Sequence, residues 1–208
     1  NSQTELELLR HQKRQLEMDI DHLQKHDTLT GLMNRNAFMQ AMDEALVELA
    51  ALEGQAALIE IGIRGLPRIS GSLSRHASDY MISSLAARLR FNLPRAALAC
   101  RLDYWSFAVF LPQINDALEA LITAKKLIEL MNQPIDWVER SLTIEAAAGV
   151  ALANKTDVDA GLFLHRAGLA YKAATEKGGP GYAFFNPALE QAARRKQASQ
   201  EGHRGISF

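Results

Sequence analysis

Few side chains in this sequence can do chemistry, and they stand apart. Asp103 is the only carboxylate in Arg101-Leu102-Asp103-Tyr104-Trp105-Ser106-Phe107, a segment joining two short apolar runs, Ala96 to Arg101 and Phe107 to Leu111. A lone acid there can ligate a cation, but it reads first as a turn or surface residue. Asp79 stands where a helical pattern begins. It could accept two hydrogen bonds from a planar donor edge, although an aspartate opening a helix is more simply a cap. Arg75 and His76 beside it could take an anion, and nothing nearby selects one. The single cysteine, Cys100, lies in an apolar run and cannot form an internal disulfide. It reads as a buried thiol in a reducing compartment, with the cytoplasm as the expected location. Two large aromatics on one turn, Tyr104 and Trp105, suggest an interface; packing against the adjacent helix is the alternative.

Any chemistry must be positioned by an ordinary globular core. Of 208 residues, 48% are apolar and 23% charged, which suits one domain with appendages. A net charge of -1 gives no field to draw nucleic acid or anionic lipid. No apolar stretch approaches the roughly 18 residues of a membrane helix, and no signal peptide is evident. The chain opens at Asn1 in what reads as mid-helix, so it is expected to be a piece of a longer protein. A sensor or an inner-membrane anchor is then expected outside it.

Along the chain, Leu6, Leu9, Leu16, Ile20 and Leu23 fall on a and d positions of a heptad, with Lys13 as the one polar a position. The narrow stripe and charged remaining faces favour a parallel dimer over a helix packed on its own domain. Helical spacing then predicts a helix from Ala37 to Leu52, which Asn34 or Asn36 is placed to cap, followed by a buried strand from Ala56 to Ile63. Gly65-Leu66-Pro67 breaks that strand, and an amphipathic helix runs from Asp79 to Phe91. The two apolar runs form a hairpin, followed by a helix (Asn115 to Asn132), a strand (Leu142 to Ala151), a helix (Val158 to Lys177) and a last strand (Tyr182 to Phe185). This order predicts an α+β fold, one sheet with helices packed against it. Pro187 suits a first helical position, and residues 187–208 read as an exit linker.

The segment His26-Asp27-Thr28-Leu29-Thr30-Gly31-Leu32-Met33-Asn34-Arg35 resembles the motif D-x-L-T-x-L-x-N-R that opens GGDEF domains, the bacterial diguanylate cyclase family. The resemblance extends to about Phe185 and includes R-L-x-x-x-x-F-A-V at Arg101 to Val109. It implies a palm-like, mainly antiparallel sheet flanked by helices, similar to adenylyl cyclase catalytic domains. The implied division is a helical stalk over 1–26, a GGDEF-like domain over 27–186, and a linker over 187–208 toward an EAL-like domain.

The resemblance also says where catalytic groups belong. Two-metal nucleotidyl chemistry needs carboxylates converging on hard cations. The family's D-x-D falls on Gly62 and Arg64, and the signature's glycine pair and acidic pair fall on Asp103, Tyr104, Trp105 and Ser106, ahead of Phe107. The phosphate-binding lysines and arginine correspond to Pro67, Thr175 and Gly179, although Lys172 and Lys177 remain nearby. Of the base-reading residues only Asp79 persists, in Ser70-Gly71-Ser72-Leu73-Ser74-Arg75-His76-Ala77-Ser78-Asp79. The product-inhibition motif R-x-x-D becomes Pro94-Arg95-Ala96-Ala97. The expectation is therefore a catalytically silent GGDEF-like domain without metal or other cofactor. It would relay a signal through a helical homodimer to a neighbouring EAL domain that binds or hydrolyses cyclic di-GMP. The alternatives are a GTP-sensing module without turnover, using Asp79, and a docking or dimerisation module, for example in an RNA-decay regulator.

Overall fold

The structure, a computed structural model, describes residues 2–65, 74–154, 159–176 and 179–204. Pro67, Ser70 to Leu73 and Lys177, named above, lie outside them. Helix α1 spans Ser2–Lys25 and buries none of its residues. Leu6, Leu9, Leu16, Ile20 and Leu23 are 45–63% exposed, so the stripe does not pack on its own domain.

Helix α2 (Arg35–Ala51) starts at Asn34, whose side-chain oxygen accepts a hydrogen bond from the Ala37 amide at 2.9 Å. Strand β1 (Gln55–Ile63) leads toward helix α3 (Arg75–Asn92), capped by Ser74. The hairpin strands are β2 (Leu98–Arg101) and β3 (Ser106–Ile114). After helix α4 (Ala117–Asn132) comes a small ladder of β4 (Ile135–Trp137) and β5 (Arg140–Leu142). Strand β6 (Ala146–Asn154), helix α5 (Ala160–Ala174), strand β7 (Tyr182–Phe184) and helix α6 (Pro187–Arg204) complete the described elements.

The main sheet has the order β2-β3-β1-β6-β7. Its pairings are antiparallel except β6–β7. Along β1, Ala57, Ile59, Ile61 and Ile63 face one core with α3 and α4, where Met81, Leu85, Leu127 and Met131 are buried. Ala56 and Leu58 point the other way, against Phe38 and Met42 of α2 and Phe163 of α5. Both faces are covered, so β1 reads as a continuous apolar run rather than an alternating one. Each large side chain buried this way stabilises the fold by roughly 1.5–3 kcal/mol.

The predicted α+β architecture is the observed one, with local corrections. The sequence pattern ended β3 at Leu111, whereas the strand continues through Pro112 to Ile114. The β4–β5 ladder is missing from the sequence reading because three-residue strands are too short to show a period, and the predicted strand from Leu142 begins at Ala146. The predicted linker starts as the 18-residue α6. Its Glu190 carboxylate lies 3.8 Å from His165 on α5.

Candidate functional site

The opening motif folds into a turn around one carboxylate. Asp27 accepts hydrogen bonds from the Thr30 amide at 2.9 Å and the Thr30 hydroxyl at 2.6 Å. The Arg101 guanidinium approaches the same carboxylate at 3.2 and 3.3 Å. Burial pushes the Asp27 carboxyl up, but Thr30 and Arg101 outweigh it and hold the group below its ordinary value. Arg101 also donates to the Asp103 carbonyl at 3.1 Å and the Tyr104 carbonyl at 3.4 Å. Met33 adds backbone bonds to Ala99 and Arg101, both at 3.3 Å, attaching the motif to edge strand β2. One arginine thus joins the base of the stalk to the tip of the hairpin.

At that tip, Asp103 accepts a hydrogen bond from the Trp105 amide at 3.0 Å, which makes it a turn residue. The two aromatics part company. Trp105 is only 7% exposed and belongs to the core on the α3/α4 face, so the expected outward contact does not include it. Tyr104 stays 37% exposed, its ring centroid 5.0 Å from the Arg101 guanidinium carbon and edge-on to Trp105. Its phenol donates to Asp79 at 2.5 Å. Burial first, then Asp79, pushes the phenol's pKa up. Asp79 is not the helix cap expected from sequence: the cap is Ser74, one turn earlier, and Asp79 is held by Tyr104.

Gly62 lies directly across the β1–β3 ladder from Ser106. A Cβ at Gly62 would come within 2.6 Å of the Tyr171 hydroxyl and 3.2 Å of the Ser106 Cβ. The phenol of Tyr171, on α5, therefore fills the space a side chain at position 62 would need. It donates to the Ile63 carbonyl at 3.3 Å. Burial, with the Glu60 and Asp103 charges behind it, pushes the phenol up to about 12. The Ser106 side chain is buried, and among the described residues its hydroxyl has no hydrogen-bond partner. Two residues along the same sheet face, Glu60 is pushed up to about 7, by desolvation first and Asp103 second, with Lys172 and Arg35 pulling the other way. Arg64 donates to Glu145 at 2.9 Å and to the Ala174 carbonyl at 2.6 Å, closing the C-terminal end of α5.

The site residues predicted from sequence therefore do not converge on one point. Gly62, Ser106 and Asp103 lie around Tyr171 and Glu60, Trp105 turns to the opposite face, and Asp79 belongs to a separate contact with Tyr104. Sequence reasoning missed Tyr171 and Glu60 as members of the pocket. A small residue at 62 facing a large one at 171 was the available signal, but it is visible only once α5 is laid across β1. Burial pushes the Cys100 thiol up to about 12, in keeping with a structural role. Among the described residues no three His, Cys, Asp or Glu side chains gather closely enough to hold a metal.

A mainly antiparallel five-stranded sheet with helices on both faces, and a β2–β3 hairpin fastened to the base of an incoming helix, defines the palm class of nucleotide cyclase folds. Residues 24–180 match the diguanylate cyclase, GGDEF domain family, and the chain belongs to that family. It is 32% identical over 157 residues to the diguanylate cyclase TpbB of Pseudomonas aeruginosa, covering 73% of this chain and 35% of that protein. It is 24% identical over 178 residues to MucR of the same organism, a bifunctional diguanylate cyclase/cyclic di-GMP phosphodiesterase, covering 86% of this chain and 26% of MucR. The GGDEF domain of TpbB superposes with a TM-score of 0.74 at 25% identity, covering 81% of this chain and 99% of that one. The coiled coil and GGDEF domain of DgcB from Caulobacter crescentus, solved with c-di-GMP, shares the fold with a TM-score of 0.74 at 21% identity, covering 88% and 95%. The chain spans between 17% and 35% of the length of these and other curated relatives. Among the described residues no helix is long and apolar enough to cross a membrane.

Proposed function

We propose that this GGDEF domain is catalytically silent and relays a conformational signal from a paired α1 stalk to a neighbouring domain. The content of the Gly62 pocket carries the reading. The positions that the family resemblance assigns to metal-binding acids hold Gly62, Trp105 and Ser106, the space at position 62 is taken by Tyr171, and Trp105 faces the core. A glycine, an indole and a hydroxyl are poor ligands for hard divalent cations, and the half-buried Glu60 binds a proton at neutral pH about as readily as it gives one up. This donor set does not fit a two-metal centre.

The relay half of the proposal rests on α1 and on Arg101. In a parallel, in-register pair, Glu5 at a g position reaches Arg10 of a second copy at an e position, and the remaining g–e pairs, Gln12 with Glu17 and Asp19 with Gln24, oppose no like charges. A change in the pitch of that pair acts on Asp27, two residues past α1, and through Arg101 on the hairpin. The receiver is an EAL-type domain beyond α6, in keeping with the phosphodiesterase activity named for MucR and for the relative NbdA. In a GTP-sensing role Asp79 would have to share its carboxylate with the Tyr104 phenol, which already occupies Oδ1.

A cyclase assay with GTP in Mg²⁺ and Mn²⁺, alongside calorimetric titration with GTP and cyclic di-GMP, tests the reading. No turnover and no GTP binding are expected; turnover refutes silence, and GTP binding that is lost in Asp79→Ala favours the sensing module instead.

A further inference from the structure

We propose that Lys13 is a weak layer built into the α1 stalk, which lets the amino-terminal part of the pair separate while the part next to the domain stays joined. The inference rests on the α1 pairing proposed above and names the place where that pairing yields. Along the seam, Leu6, Leu9, Leu16, Ile20 and Leu23 are large and apolar, and Lys13 interrupts them. Two apolar layers, Leu6 and Leu9, lie before the interruption; three, Leu16, Ile20 and Leu23, lie after it, on the side of the Asp27 turn. In a parallel, in-register pair each a residue meets its own copy, so both Lys13 side chains fall in one layer. A single polar a position fixes register at a cost in stability.

The geometry of α1 explains how such a layer is tolerated. Lys13 Nζ lies 3.7 Å from Glu17 Oε1, one turn nearer the domain on the same helix. Glu17 holds an e position, at the flank of the seam rather than inside it. The ammonium is thus drawn toward water, and only the methylene stem is left to cover the seam. Both side chains are well exposed, so the ion pair adds little attraction of its own. The layer therefore buries no unpaired charge, yet it lacks the apolar area that a leucine would bring.

The position of the interruption gives it a consequence. The three-layer block adjoins Asp27, where Arg101 ties the base of the stalk to the hairpin. The two-layer block is held by Leu6 and Leu9, with Glu5 and Arg10 of opposite copies at its flanks. Opening at Lys13 forfeits only the smaller block. The stalk then has a fully paired state and an open-topped state, two arrangements between which an upstream signal can shift the population.

Sedimentation of the 208-residue chain over a concentration series, beside Lys13→Leu, His11→Leu and Leu16→Lys, tests the proposal. The parent is expected to pair reversibly, and Lys13→Leu to pair at least about tenfold more tightly, because two leucines then join the seam. His11→Leu puts the same side chain on the f position, away from the seam, and should pair as the parent does. Where parent and Lys13→Leu are both fully paired, amide exchange over residues 6–12 should be slower in the variant and exchange over 16–23 unchanged. Lys13→Leu no tighter than the parent, equal tightening in His11→Leu, or unchanged exchange over 6–12 overturns the inference. If Leu16→Lys still abolishes pairing in those cases, the stalk pair stands and only the weak layer is lost. If Leu16→Lys sediments as the parent does, the pairing itself fails.

Discussion

Gly62→Ala isolates the exchange that carries the functional reading. Glycine inside a strand is normally worse than alanine by roughly 0.5–1 kcal/mol, so without a steric conflict the substitution would stabilise the protein. The structure reverses that sign. The new methyl would meet the Tyr171 hydroxyl at 2.6 Å and its ring carbon at 3.0 Å. The phenol cannot slide away cheaply: its hydroxyl is bonded to the Ile63 carbonyl, and α5 beneath it is pressed onto Gly149, where a Cβ would lie 2.0 Å from the Tyr171 backbone nitrogen. Overpacking of this kind costs about 1–3 kcal/mol. Tyr171→Leu alone leaves a partial cavity and is also destabilising. If the two side chains compete for one space, the double variant Gly62→Ala/Tyr171→Leu is more stable than the sum of the single losses by roughly 1–3 kcal/mol. Urea unfolding followed by circular dichroism measures this, with the midpoint shifting by about 1 M per 2 kcal/mol and the slope unchanged. Strict additivity, or a Gly62→Ala variant as stable as the parent, refutes the reasoning and with it the picture of a pocket filled by Tyr171.

Gly149→Ala is expected to cost about 3 kcal/mol, because the added methyl meets helix backbone rather than a movable side chain; thermal unfolding checks it. Glu60, raised from 4.5 to about 7 in the folded chain, contributes stability that is fully present below about pH 4.5 and lost as pH rises through about 7. That loss is at most roughly 3 kcal/mol, and in Glu60→Gln the slope across this window should vanish in pH-dependent urea melts. Asp27 shows the opposite sign: its carboxyl is held low, so its contribution is present above the ordinary carboxylate value and lost as pH falls. Asp27→Ala should cost about 1–3 kcal/mol by leaving Thr30 and Arg101 without their acceptor. Leu16→Lys should abolish stalk pairing in sedimentation while leaving the domain's unfolding temperature unchanged, since Leu16 touches no core.

What could be read in the sequence was whatever depends on local pattern. Asn34 was a cap candidate from its residue type and place, and it is the cap. The helix faces with Phe38 and Met42, or Leu127 and Met131, follow from spacing and are buried as read. The failures are tertiary. Asp79 looked like a cap because it is acidic near a helix start, but Ser74 does that work and leaves the aspartate free to take a phenol from another element. Tyr104 and Trp105 were indistinguishable as neighbours on a turn, and only the twist of the hairpin sends one ring into the core and the other outward. Tyr171 gave no local sign of its role, since a tyrosine on a helix says nothing about the missing side chain on the strand beneath it.

The contacts that bind this chain to its family are of a different kind from those that fill the pocket. Asp27, Thr30 and Arg101 bond to one another and to turn backbone, so their value does not depend on a ligand being present. Gly62, Ser106 and Tyr171 settle their space by packing, and the buried Ser106 hydroxyl finds no hydrogen-bond partner among the described residues. A domain kept for turnover should show the reverse, with satisfied polar groups around a ligand space. A domain kept as a strut needs the stalk, the opening turn and the hairpin to move as one body, which Arg101 supplies by holding Asp27 while donating to Asp103 and Tyr104. Tyr104 then carries the linkage to α3 through Asp79, a connection absent when glycine stands at that place in the turn. Breaking it with Tyr104→Phe should therefore loosen α3 relative to the hairpin, seen as faster amide exchange in the first turns of α3, while leaving the Asp27–Arg101 pair intact; unchanged exchange in α3 would remove Tyr104 from the relay.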